Sequence, residues 1–208
     1  MSLDAPRLTA DQLHDLPGRR PVASSEVSFH GRVWDVRTDR VVLADGEKPV
    51  TRDYLEHSGA VVVAAVREDR GEPEVLVIRQ YRHPIAAEDW ELPAGLLDVE
   101  GEPAESAAQR ELAEEVDLQA AVWEELLRFT PSPGSLGEEI VVFLATGLSE
   151  VPDADRHERA EEEAGMPVGW VALDALVEAV LGGQLRNGPL MLTALALAER
   201  LRRDPVGR

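Results

Sequence analysis

Arg110-Glu111-Leu112-Ala113-Glu114-Glu115 is the stretch of this chain best equipped for chemistry. On a helix turning about 100° per residue, Glu111, Glu114 and Glu115 fall within about a quarter turn of one another. That edge adjoins an apolar stripe of Ala104, Ala107, Ala108, Leu112 and Val116, so the acids lean toward the body of the protein. Carboxylates crowded in this way repel unless a cation sits among them. The surrounding segment, Leu92 to Leu118, contains no lysine. A hard divalent cation, which takes oxygen ligands, is the natural partner. Such an ion polarises carbonyl or phosphoryl oxygens and lowers the pKa of bound water.

The helix that must present these acids is expected to start near Glu102-Pro103, since proline is favoured at the first helical position. Around it the chain reads as strands and helices without strict alternation. Residues 1 to about 25, broken by Pro6, Pro17 and Pro21, read as a loosely ordered arm. Glu26 to Glu56 has strand patterning, with a hairpin signal at Asp45-Gly46 and a short strand over Lys48 to Tyr54. Gly59 to Val66 is a continuous apolar run, as a strand covered on both faces requires, and Glu74 to Arg79 is its expected partner. Trp123 to Thr130, Ile140 to Thr146 and Val168 to Val171 are further strands; Leu173 to Leu181 and Pro189 to Arg203 are helices. Residues 149–165 are highly charged and read as a mobile loop. The mixture favours a sheet of mixed direction with helices on its faces.

Composition narrows the function classes. The chain has 208 residues, 40 acids against 21 bases and a formal net charge of −19. Such a chain repels a nucleic-acid backbone, so neither nucleic acid nor membrane is expected as a partner. No apolar run approaches the ~18 residues of a membrane span. No signal pattern follows Met1, and the expected location is cytoplasmic. Cysteine is absent, which excludes thiol chemistry, and no Gly-x-Ser-x-Gly elbow presents a serine. No second histidine stands at metal-ligand spacing from His30, His57 or His83.

Gly95, Glu102, Arg110-Glu111-Leu112 and Glu114-Glu115 resemble the Nudix box. The sequence departs from that pattern twice. Six residues rather than five separate Gly95 from Glu102, and Asp117 stands where the pattern has glycine. Asp117 falls at the helix C-terminus, where a left-handed residue is wanted; aspartate is among the few residues besides glycine that adopt that conformation. Nearly the whole chain is similar to the ADP-ribose pyrophosphatase branch of the Nudix hydrolases. Pro93-Ala94-Gly95-Leu96, the Ser132-Pro133-Gly134 loop and Glu138 support that likeness.

The resemblance implies an α/β/α sandwich over residues 58–208, with residues 1–57 a strand-rich segment that builds a homodimer by exchanging N-terminal strands. It implies Mg²⁺-dependent hydrolysis of ADP-ribose to AMP and ribose 5-phosphate, with Mn²⁺ a possible substitute. Glu111, Glu114, Glu115 and the carbonyl of Ala94 are the implied metal ligands, and Glu102 with Arg110 a supporting ion pair. The general base maps to Glu162 on the acidic loop, with Glu163 and Glu138 as alternatives. Arg82 matches a substrate-binding arginine, against the plainer reading of a surface ion pair. Leu96, Gly134 and Glu138 belong to the substrate side. Trp34 either stacks on adenine or packs in a core or dimer interface, and Arg52 and Asp53 match positions that reach the nucleotide across the dimer. Two other readings stay open: a Nudix enzyme for another nucleoside diphosphate sugar or oxidised nucleotide, and a Nudix-like domain that senses ADP-ribose without cleaving it.

Overall fold

A computed structural model describes residues 5–68, 71–159 and 165–203. Its contacts divide into two units after Leu55. In the first unit, β1 (Val22–His30), β2 (Asp35–Val41) and β3 (Val50–Glu56) form a three-stranded sheet in that order, with β1 and β2 antiparallel. The expected turn at Asp45-Gly46 is present: the Glu47 N–H donates to the Ala44 carbonyl at 3.1 Å, and Gly46 takes a φ of 81°. The first strand begins earlier than the residue pattern indicates. Val22 pairs with Val41 and the Pro21 carbonyl accepts from the Val42 N–H at 2.9 Å, so pairing with β2 extends β1 up to the proline.

The second unit is built on a seven-stranded sheet. Its main path runs β10 (Val168–Ala172), β5 (Glu74–Arg82), β4 (Ala60–Arg67), β9 (Ile140–Glu150), β8 (Leu118–Phe129). Two short strands flank this path, β6 (Ala87–Glu91) beside β5 and β7 (Ala94–Leu96) beside β4. β4 and β9 run parallel, Ala60–Ala65 against Ile140–Ala145, and the other pairs are antiparallel. The apolar run of β4 sends alternate residues to opposite faces, as the period of two demands. Val61, Val63 and Ala65 pack with Ala107, Ala108 and Leu112 of α1 (Ala104–Val116). Val62 and Val66 pack with Leu173, Leu176 and Val180 of α2 (Leu173–Leu181) and Leu190, Ala194 and Leu197 of α3 (Gly188–Arg203). Helices cover both faces of a mixed sheet, the α/β/α sandwich that the sequence led us to expect.

Three local features shape the neighbourhood of the acidic helix. β4 pairs with β5 only at Val66–Arg67 and with β7 at Ala60–Val62, so the sheet forks, and the Pro93 carbonyl accepts from the Val63 N–H at 2.8 Å inside the fork. β6 and β7 went unread in the sequence because Pro84 and Pro93 interrupt any pattern and each strand is defined by a partner rather than by its own composition. Helix α1 is preceded by Pro103, whose ψ of 143° leaves it just outside the helix, and closes on Asp117 at φ 55°, ψ 33°. That is the left-handed cap foreseen for the aspartate. The first two residues of the charged stretch belong to the sheet: Ser149 and Glu150 finish β9 opposite Gln119 and Leu118.

Candidate active site

The acids of α1 meet the backbone of β7. The Ala94 N–H donates to Glu115 Oε2 at 2.9 Å, and Glu115 is 4% exposed. Glu111 lies directly against Gly95, where an added Cβ would sit 2.0 Å from the Glu111 carboxyl carbon. Glycine there is a requirement of space, since its φ is not in the left-handed region. Arg110 completes the arrangement. Its Nη2 donates to Glu102 Oε2 at 3.1 Å, the supporting ion pair expected from sequence, and its Nη1 donates to Glu111 at 2.5 Å and Glu114 at 3.3 Å. The hydrogen bond to Glu102, with the charge of Glu111 beside it, raises the guanidinium above its ordinary range.

The residues fit a hard divalent cation by their chemistry. Glu102, Glu111 and Glu114 share the guanidinium of Arg110, and Glu115 adds a fourth oxygen donor against the Ala94 N–H, so carboxylates outnumber this arginine beside the Ala94–Gly95 backbone. Arg110 holds Glu111 and Glu114, and among the described residues no three acids already converge as metal ligands do.

Next to this edge a cavity of about 570 Å³ opens at the mouth of the fork. Ala60, Val62, Ala94, Gly95, Leu96 and Ile140 form its floor, and Pro131 and Glu138 bound one side. Two arginines, Arg82 and Arg186, also line it, each seated on an acid of β6. Arg82 donates to Glu91 through Nε at 3.0 Å and Nη2 at 2.7 Å. Arg186 grips Asp89 through Nε and Nη2 at 2.9–3.1 Å. Asp89 and Glu91 are two residues apart on a strand and so share a face. Hydrogen bonding to Asp89, followed by its charge, raises the pKa of Arg186. Asn187 also lines the cavity and caps α3, its Oδ1 accepting from the Leu190 N–H at 2.9 Å.

Of the residues singled out from sequence, Arg82, Ala94, Leu96 and Glu138 come together in the cavity wall, and Glu111, Glu114 and Glu115 lie along α1 beside it. Glu138 Oε1 is 3.7 Å from Nδ1 of the buried His57, which also accepts from the Gly59 N–H at 3.0 Å. Gly134 is in the turn between Pro131 and Glu138 and does not line the cavity. Trp34, Arg52 and Asp53 belong to the N-terminal unit: Trp34, between β1 and β2, is 43% exposed, Arg52 of β3 donates to the Thr51 carbonyl, and Asp53 of β3 accepts from Thr38 Oγ1 at 2.7 Å. Glu162 and Glu163 lie outside the described residues.

Sequence reasoning missed Asp89, Glu91, Arg186 and Asn187. The two residues before Gly188-Pro189 carried a legible cap signal in Asn187. Nothing local marks Arg186, whose partner is 97 residues away.

Comparisons with known proteins bear on this geometry. The chain is 41% identical over 174 residues to the ADP-ribose pyrophosphatase of Mycobacterium tuberculosis, covering 84% of this chain and 81% of that one. It is 36% identical over 130 residues to the methanol dehydrogenase activator of Bacillus methanolicus, covering 62% and 68% respectively. An ADP compounds hydrolase of known crystal structure aligns with a TM-score of 0.73 over 92% of this chain and 98% of its own, at 17% identity, a likeness of fold. The family described as the NUDIX domain matches residues 56–191, a span that holds the fork, the acidic helix and the cavity wall together, and the chain belongs to that family.

Proposed function

We propose that this chain is a Nudix pyrophosphohydrolase that cleaves ADP-ribose to AMP and ribose 5-phosphate. The identity to an ADP-ribose pyrophosphatase across most of both chains is the observation that carries the reading. The cavity supports it, since one wall offers two guanidinium forks for phosphate oxygens and the adjoining helix edge offers carboxylates for a cation.

Hydrolysis adds water across the P–O–P bridge. The water oxygen bonds to one phosphorus, the bridging oxygen departs with the other phosphate, and a proton passes to a base. Glu111, Glu114, Glu115 and the Ala94 carbonyl would hold Mg²⁺, or Mn²⁺ in its place. When bound, the ion supplies Lewis acidity at the phosphate oxygens and a water of lowered pKa. Arg82 and Arg186 orient the diphosphate. Glu162 is the base in this reading, with Glu163 and Glu138 as the alternatives; Glu138 has the virtue of lining the cavity. Leu96 and Gly134 serve the sugar side.

Residues 1–57 act as a dimer-building segment that supplies Trp34, Arg52 and Asp53 to the nucleotide of the other copy, and residues 58–208 as the hydrolase. The nearly complete exposure of β1, with Phe29 at 63%, and of Trp34 in the turn that follows it, at 43%, supports an interface there. The partner is a small nucleotide sugar, and the setting is the cytoplasm. Among the described residues no helix is long and apolar enough to cross a membrane.

AMP release from ADP-ribose with Mg²⁺, against the same reaction in EDTA, tests the reading. Metal-dependent release is expected; its absence for every compound in a panel of nucleoside diphosphate sugars would sink it. The panel matters because the Bacillus methanolicus relative is known by a different activity. Turnover of another nucleotide sugar alone would replace the substrate and keep the chemistry, whereas tight binding without turnover would favour a sensor.

A further inference from the structure

Asp117 occupies the place of a glycine in the Nudix pattern, and the left-handed backbone there, φ 55° and ψ 33°, is one that glycine adopts more easily. A carboxylate at a helix C-terminus also opposes the helix dipole. Two local disadvantages call for a compensating contact, and the structure supplies one from 42 residues away. Arg159 donates through Nη2 to Asp117 Oδ2 and through Nε to the Glu114 carbonyl at 3.0 Å. The guanidinium thus neutralises the misplaced acid and satisfies a helix-end carbonyl together. Both side chains are largely withdrawn from solvent, at 27% and 24% exposure.

The same residue fastens the start of this segment. The Asp117 carbonyl accepts from the Val151 N–H at 2.8 Å, and Arg156 Nε donates to the Val151 carbonyl at 3.2 Å. Residues 151 and 159 therefore hang from one position at the end of α1, within one turn of Glu114 and Glu115. A glycine could provide the backbone turn; it could not provide the carboxylate. We propose that Asp117 and Arg159 form a latch that fixes the 151–159 segment to the C-terminal turn of α1 and so sets the placement of the acids on that turn. Arg159 is a positioning residue, and the proposal rests on the reading of α1 as the catalytic helix.

The test uses the full-length protein as wild type, Asp117→Gly, Arg159→Ala, Arg159→Lys and the Asp117→Gly/Arg159→Ala double variant. With ADP-ribose and Mg²⁺, each of Asp117→Gly and Arg159→Ala is expected to lower kcat roughly 10-fold with little change in KM. The double variant should be about as impaired as either single, since both break one contact. Arg159→Lys, which keeps the charge and loses the fork, should recover only part of the rate. Amide exchange in the metal-free proteins reads the latch without activity: Val151 and its neighbours should exchange faster in both single variants, with β4 unchanged. Wild-type kcat in Asp117→Gly, losses that multiply in the double variant, or unchanged exchange over 151–159 would each overturn the latch. If the wild type fails to cleave ADP-ribose, the functional reading falls and amide exchange alone still decides the latch.

Discussion

The acidic edge of α1 and the arginine wall of the cavity meet at the Ala94–Gly95 backbone and are assembled in opposite ways. On α1, Arg110, Glu111, Glu114 and Glu115 are neighbours along one helix, and helical periodicity alone sets their mutual placement. On the wall, Arg82 comes from β5, Asp89 and Glu91 from β6, and Arg186 from the loop before α3. The edge is fixed once a single helix forms; the wall exists only when the sheet and α3 are in place. In the proposed reaction the local part performs the chemistry and the assembled part reads the substrate. Changes on the edge should therefore reach kcat, and changes on the wall should reach KM.

Glu115→Gln should have the largest effect. An amide oxygen can still accept from the Ala94 N–H, so the fold should survive, while kcat falls more than about 100-fold with the lost charge. Circular dichroism beside single-turnover kinetics checks it, and undiminished kcat would break the division of labour. Gly95→Ala comes next. The new Cβ would lie 2.0 Å from the Glu111 carboxyl carbon, so Glu111 must move, and kcat should fall on the order of 10-fold.

The wall should respond differently. Arg82→Ala is expected to raise KM about 10-fold while kcat stays close to wild type. It also strands Glu91, which is 5% exposed, at a cost of about 1–3 kcal/mol in denaturant unfolding. Adding Glu91→Gln should restore much of the stability and none of the affinity. A kcat defect in Arg82→Ala would blur the contrast between edge and wall.

The smallest effect marks an acid–arginine contact outside the cavity. Hydrogen bonds from Arg202, then Arg203, pull Glu199 from 4.5 down to about 2. A depressed carboxylate stabilises the fold above its unfolded pKa and loses that contribution as pH falls, here from about 4.5 toward 2. Carboxyl NMR titration should find Glu199 in that low range, with Glu199→Gln changing neither kcat nor KM.

This contrast also explains what could be read in advance. The helix edge, the Arg110–Glu102 pair and the left-handed Asp117 were legible because each depends on residues a few positions apart. The two faces of β4 were legible because its apolar run is unbroken. β6 and β7 were not, since their strand character comes from β5 and β4, and the start of β1 at Val22 depended on Val41. Arg186 could not be connected to Asp89 until the fold joined positions 97 apart. Arg159 looked like one charge among many in a polar stretch until its partner proved to be the aspartate that breaks the motif.

The forked sheet has a consequence for synthesis and folding. β4 gains its long parallel neighbour only when residues 140–145 are available, and the arginine wall closes only when residue 186 arrives. A growing chain can therefore display a complete Nudix box on α1 well before any cavity exists to use it. Because loop closure over such separations is slow compared with helix formation, the ability to bind substrate should be among the last properties the folding chain acquires.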